Sequence, residues 1–518
     1  MNQFHSPKIN SYIGQKGYTI LKNELTNDEL NSIKKELSVK PYVPGAPVAN
    51  AHTFPVYRES NNKIYVPRYY GEKRFGATTE YRITEGDDVV MNFTGVLREN
   101  QVPVVEKYLN HVKGGKGGLL ELPCGFGKTS LSLYIASKLS KKTLVIVHKE
   151  FLLNQWVERI QQFIPTAKIG RIQGQIIDIE GKDIVLGMLQ SLSMKDYPST
   201  MFDSFGLTIV DEVHHISSEV FSNVLFKLVT KYMLGLSATM NRKDGTTNVF
   251  KMFLGEIVYK NVEKNQHNVE VRGIRYLVED NEFNETEYDY RGNPKYSTMI
   301  SKLCAYNHRS EFILKIIQDL LIENPSQQIM ILAHNKSLLT YLYNAIDHRK
   351  ISTVGYYIGG MKESALKESE GKTVIIATYS MAAEALDIKT LTTLIMATPK
   401  TDIEQAVGRI LRAKHAKPIV VDIIDSHEPF LKQWGKRKVF YKKQNYKILE
   451  KSNIQYTNPW KTLYDPNAKI SRCLAKDEED VQDFQEEDDD VEEEKSSRSN
   501  SNSNNIVPLG KCLIKLKK

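Results

Sequence analysis

Residues 122–130, LPCGFGKTS, restrict the possible folds more than any other stretch of the chain. A glycine-rich turn of this kind belongs between a buried strand and the start of a helix. The apolar run Gly118, Leu119, Leu120 reads as the strand, and the apolar-periodic segment Leu131 to Leu139 reads as the helix. There, the backbone N–H groups of the turn and the positive end of the helix dipole point into one concavity that suits phosphate oxygens. Gly125 and Gly127 let the backbone approach with no Cβ in the way. Pro123, Cys124 and Phe126 complete the loop. Lys128 is placed to reach the β- and γ-phosphates of a nucleoside triphosphate such as ATP, and the Thr129 hydroxyl to ligate Mg²⁺. The strict pattern has glycine at the first position, where this chain has Leu122.

A second element follows at 207–214, LTIVDEVH, an apolar strand that ends on two adjacent carboxylates. Carboxylates at the C-terminal end of a buried strand supply the other half of a phosphoryl-transfer site. Asp211 reads as the residue that holds Mg²⁺. Glu212 reads as the residue that orients and polarises an attacking water. His214 is placed to hydrogen-bond to the next motif. That motif, MLGLSAT at 233–239, is another apolar strand ending in Ser237 and Thr239, hydroxyls suited to relaying the state of the nucleotide.

Composition fits a multidomain chain. Its 518 residues suggest about three domains at ordinary domain sizes. The expected fold class is α/β. Strands and helices alternate over 91–265, giving a first parallel-sheet domain. QIMILAH (328–334), TVIIAT (373–378), TLIMAT (393–398) and PIVVDII (418–424) read as parallel strands of a second such domain over 266–470, which has no phosphate loop of its own. Residues 1–90 read as a small accessory domain with one amphipathic segment, Asn27 to Leu37. In the stretch YVPRYYGEKRFG, 65–76, aromatic and basic residues alternate, which suits either nucleic-acid contact or a small core with snorkelling cations. Residues 471–518 read as a disordered acidic and Ser/Asn-rich tail.

The formal charge of +8 is unevenly distributed. Residues 477–494 carry thirteen acidic side chains and no basic one, so the rest of the chain carries +21. A body that basic suits a polyanion such as DNA or RNA, although lysines scattered over solvated faces give the same total. No apolar run is long enough for a transmembrane helix, and MNQFHSPKIN lacks the apolar core of a signal peptide. The expected location is therefore intracellular, with no membrane partner. Cys124, Cys304, Cys473 and Cys512 stand singly, so no zinc or iron–sulfur site is indicated.

LPCGFGKT, DEVH, SAT and QAVGRILR (405–412), taken in this order, resemble the superfamily 2 helicases and translocases over roughly residues 90–430. LPCGFGKT and the run SATMNRKDG resemble the XPB-type DNA translocases and their relatives in large DNA viruses, such as the poxvirus transcript-release helicase. The resemblance implies two tandem RecA-like domains with the nucleotide between them. It implies further roles residue by residue. LRENQ, 97–101, resembles the adenine-reading motif, with Gln101 on the base and Arg98 nearby. TLVIVHKEFLLNQW (143–156) and VLGMLQSLS (185–193) resemble segments that touch a nucleic-acid backbone, with Trp156 reading as core. In IATYSMAAEALDI, 376–388, Thr378 and Asp387 hold the places that sense nucleotide and polymer, while Ala385 stands where glycine is usual.

Gln405, Arg409 and Arg412 share one face if their segment is helical. The arginines then serve as fingers on the γ-phosphate. Arg242 and Asp244, in RKDG at 242–245, stand where the XPB-type relatives carry a run tied to strand opening, with Lys243 in place of Glu. The whole implies an ATP-dependent, Mg²⁺-requiring helicase or translocase. DNA is favoured over RNA, and the implied setting is viral transcription or DNA processing, with transcription machinery as a partner. If the chain is viral, the implied location is host cytoplasm or virion. Two other readings stay open: an RNA helicase, and an ATP-dependent switch in a transcription complex that unwinds little by itself.

Overall fold

The computed structural model describes residues 9–41, 53–78, 80–123, 125–215, 218–240, 246–261, 268–290, 292–384, 388–411 and 415–468. Gly117–Glu121, Thr143–Val147, Ile184–Met188, Leu207–Val210 and Tyr232–Ser237 are short, mostly apolar segments, the pattern of strands buried on both faces. They pair in parallel within one eight-stranded sheet. The Tyr232–Ser237 strand lies between the phosphate-loop strand, Gly117–Glu121, and the Leu207–Val210 strand that leads into Asp211. Helices cover both faces. Leu131, Leu133, Ile135, Trp156 and Ile160 fill one, and Phe221, Phe250 and Phe253 fill the other. Among the described residues, the edge strand Ile176–Asp178 is the one strand of this sheet antiparallel to its neighbour.

A second eight-stranded sheet contains the four strands expected from the sequence, at Gln328–Ala333, Val374–Thr378, Leu391–Met396 and Ile419–Asp425. Val354–Tyr357, Glu270–Tyr276, Lys447–Ser452 and the antiparallel Lys461–Tyr464 extend it. Glu270–Tyr276 does not look like an interior strand because it carries two arginines. Arg272 is accommodated by a carboxylate pair, donating to Glu323 at 2.5 and 2.6 Å and to Glu270 at 2.7 Å. The two sheets make two tandem RecA-like α/β domains.

The second domain contains buried ion pairs. Arg309 meets both oxygens of Asp425 at 2.7 and 2.8 Å with neither side chain exposed. Arg437 grips Asp422 at 2.7 and 2.9 Å, and Tyr441 donates to the same carboxylate at 3.1 Å.

At the N-terminal end, Ser11–Gly14, Gly17–Leu21, Lys63–Val66 and Arg58–Glu59 form a small antiparallel sheet. The amphipathic segment is the helix Asn27–Glu36, started by a Thr26/Glu29 capping box. Part of the Tyr/Arg stretch is used in packing. Arg68–Phe75 is a helix, and Arg68 is buried against the first domain, donating to Gly115 O at 2.6 Å. The Tyr69 hydroxyl accepts from the Gly117 N–H at the start of the phosphate-loop strand. Among the described residues no helix is long and apolar enough to cross a membrane.

Arg309→Ala would leave Asp425 charged, buried and without its cation. A loss of about 3–5 kcal/mol is expected. It is read as a lower urea midpoint in the emission of Trp434 and Trp460, both in the same domain. A loss below about 1 kcal/mol would mean that water reaches the carboxylate.

Candidate active site

The phosphate loop leaves the Gly117–Glu121 strand and enters the helix Lys128–Leu139 through Gly127, which sits at φ 86°. That left-handed conformation favours glycine. A Cβ there would also lie 2.5 Å from the Gln101 amide nitrogen. Gln101 is buried and fixes the loop: its Nε2 donates to Phe126 O at 2.8 Å and its Oε1 accepts from Arg98 N at 2.9 Å. Arg98 Nη1 adds a bond to Gly125 O at 3.1 Å. The two residues expected at the base therefore brace the loop backbone in this structure. Pro123, Phe126 and Thr129 occupy the expected loop and first helical turn, and Cys124 lies outside the described residues.

Asp211 and Glu212 follow the end of the Leu207–Val210 strand. Asp211 is buried. Its Oδ2 accepts from Trp156 Nε1 at 2.8 Å and its Oδ1 from the Glu212 N–H at 3.0 Å. Glu212 sits at φ 48°, in the left-handed region, and pairs with Lys128 Nζ at 3.0 Å. The loop lysine and both acids thus come together. Burial, with the charge of Glu212 beside it, pushes the Asp211 carboxyl up to about 6, against the pull of Lys128 and the indole N–H. The hydrogen bond from Trp156 had no signal in the sequence, where this residue reads as ordinary core.

A relay crosses to the second domain. Gln405, on the short helix Glu404–Arg409, lies with Nε2 3.1 Å from His214 Nε2. With the amide donating, His214 Nε2 accepts and Nδ1 carries the proton. Nδ1 lies 2.8 Å from Ser237 Oγ and 3.5 Å from Glu212 Oε2. Ser237 Oγ in turn donates to Thr239 O. His214, Ser237, Thr239 and Gln405 are therefore brought together. Arg409 is buried with its Nε donating to Ala382 O at 2.6 Å, inside the second domain. Thr378 ends a strand of that domain. Arg242, Asp244, Asp387, Arg412 and the acidic tail lie outside the described residues.

A phosphate loop facing a strand-end Asp-Glu pair, with a second parallel-sheet domain across the cleft, defines a two-domain nucleotide-hydrolysing ATPase. Comparison with known proteins narrows this. A family model described as "Type III restriction enzyme, res subunit" matches residues 94–242. The chain is 36% identical over 454 residues to "Putative ATP-dependent RNA helicase L396" of Acanthamoeba polyphaga mimivirus, covering 85% of this chain and 86% of that one. It is 27% identical over 401 residues to "Putative ATP-dependent RNA helicase QP509L" of African swine fever virus, covering 69% and 74%. Among solved structures, T4 UvsW aligns over 86% of this chain and 100% of its own, at 17% identity and a TM-score of 0.35. The chain belongs to the viral superfamily 2 helicases, which are ATP-hydrolysing enzymes.

The raised Asp211 pKa has a stability consequence. The folded form binds this proton more tightly than the unfolded chain, so the contribution is complete below 3.8 and is lost as pH rises to about 6. Asp211→Asn removes this pH dependence, while its NH2 must face one of the two N–H donors that Asp211 now accepts from, so in the metal-free protein the variant is expected to compare more favourably with wild type at pH 7 than at pH 4. Melting curves in a chelator at the two pH values check this. An equal shift at both would assign the effect to packing.

Proposed function

We propose that the chain is an ATP-driven helicase or translocase acting on DNA, with residues 91–265 and 266–470 as its two motor domains. The single observation that supports this best is the relay Gln405–His214–Ser237. It runs from the second domain to the residue beside the Asp-Glu pair, so that hydrolysis and domain placement share atoms.

In this reading the N–H groups around Gly125 and Gly127 receive the phosphates. Lys128 leaves Glu212 for the β- and γ-phosphate oxygens, which frees the carboxylate to accept a proton from the attacking water. Thr129 and Asp211 would hold Mg²⁺, which neutralises phosphate charge when bound. The fit is chemical: a buried carboxylate, a second carboxylate on the next residue and a hydroxyl in the first turn of the loop helix make an oxygen donor set of the kind a hard divalent cation takes. Arg409 and Arg412 supply positive charge from the second domain, Arg409 after release from Ala382 O. Gln101 and Asp387 complete the nucleotide pocket. Arg242 and Asp244 act on the strands.

DNA as substrate draws on the RKDG run after SAT and on resemblance to XPB-type translocases. RNA is the second reading, favoured by the names of the mimivirus and African swine fever virus relatives. ATPase activity with double-stranded DNA, single-stranded DNA, RNA and no polymer, run beside strand-displacement and triplex-displacement assays, separates the readings. Stimulation by DNA with displacement supports the proposal. Stimulation and unwinding confined to RNA supports the second reading. Translocation without unwinding points to a switch within a transcription complex.

Lys128→Ala is expected to abolish hydrolysis with the fold intact. Glu212→Gln should keep ATP binding and lose turnover by about 10²- to 10⁴-fold, measured as phosphate release beside binding of a fluorescent nucleotide. Normal turnover in Glu212→Gln would remove Glu212 from its role.

A further inference from the structure

The helix Glu150–Phe163 faces two structures at once. Leu152, Leu153, Trp156 and Ile160 are buried in the core of the first domain. On another face, Phe151 packs against the apolar clusters of both domains. Asn154 Nδ2 donates to Glu363 at 3.4 Å, and Glu158 pairs with Lys367 at 3.0 Å. Both partners lie on the helix Glu363–Glu370 of the second domain. Positions 151, 154 and 158 are spaced three and four residues apart, so they share one helical face.

Trp156 reaches the other way, and its indole nitrogen donates to Asp211 Oδ2 at 2.8 Å. An indole N–H can only donate, so it serves an unprotonated carboxylate oxygen and fixes how the carboxylate is turned. A packed helix moves as a body, because a close-packed core transmits displacement instead of absorbing it.

We propose that this helix couples the placement of the second domain to the orientation of Asp211, with Trp156 as the positioning residue. The inference rests on the reading of Asp211 as the carboxylate that holds the divalent cation. Phe151 supplies the apolar part of this contact, and the Glu158–Lys367 pair adds little because it is more than half exposed and screened by solvent. The helix thereby links domain closure to the metal carboxylate without passing through the His214 relay.

The test is Mn²⁺ affinity of the full chain with a non-hydrolysable ATP analogue, followed by the free-ion EPR signal. Trp156→Phe keeps most of the ring volume and removes the donor. Benzothienylalanine at 156 keeps both rings and replaces N–H with sulfur, which preserves the test if Trp156→Phe fails to fold. Either is expected to weaken Mn²⁺ binding about 10- to 100-fold, as loss of an outer partner of a metal ligand does elsewhere. Metal-free binding of the analogue should be unchanged. Phe151→Ala should weaken Mn²⁺ binding in the same direction by a smaller factor. Wild-type Mn²⁺ affinity in the benzothienylalanine protein overturns the positioning role, and wild-type affinity in Phe151→Ala overturns the coupling. Asp211→Asn separates this from the reading beneath it. If that variant also binds Mn²⁺ normally, the metal role of Asp211 is what fails.

Discussion

At the end of the Leu207–Val210 strand two carboxylates stand on consecutive residues, one of them buried. Like charges this close repel, and burial raises the cost of ionising the inner one. Along an extended strand, consecutive side chains would also point to opposite faces. The chain breaks the strand there. Glu212 adopts φ 48°, a conformation that costs a non-glycine residue about 1–3 kcal/mol. Asp211 turns inward to Trp156 while Glu212 stays within reach of Lys128. The phosphate-loop lysine, the indole donor and His214 all gather on these two acids. Backbone strain, raised proton affinity and the cross-domain relay converge on the four residues 211–214.

The parts of this site that were legible in sequence are those that chemistry ties to local order. A glycine turn between an apolar strand and a helix announces LPCGFGKTS, and a strand that ends on Asp-Glu announces the acids. The second domain was visible as four apolar runs. What stayed hidden depends on distant partners. Trp156 has the same spacing as any core tryptophan, and only the fold brings Asp211 to its nitrogen. The Glu270–Tyr276 strand is masked by Arg272, whose burial is tolerable only because Glu323 arrives from a helix some fifty residues later. The Tyr/Arg stretch at 65–76 carries the composition of a polyanion-binding surface, yet Arg68 and Tyr69 use their polar atoms on the backbone of residues 115 and 117.

The first and second domains differ in how they hold charge. The first concentrates its buried acid at the cleft, where a ligand can compensate it. The second neutralises its own, through Arg309–Asp425 and Arg437–Asp422. A buried bidentate pair contributes little net stability over an apolar substitute, but it is costly to break. Such pairs hold a sheet in one arrangement.

The contacts of Tyr69 and Arg68 have a mechanical consequence. Gly117–Glu121 is a strand with the nucleotide loop at one end and the N-terminal helix Arg68–Phe75 tied to the other. In a helicase, force generated in the cleft needs a reaction point that does not slip. This strand is flanked in parallel by Tyr232–Ser237 and Ile257–Lys260. Tension along it is therefore shared across ladders of backbone bonds loaded together, and arrives at the N-terminal sheet. Any load on the loop end of this strand is therefore passed to the N-terminal sheet through the bonds of Arg68 and Tyr69.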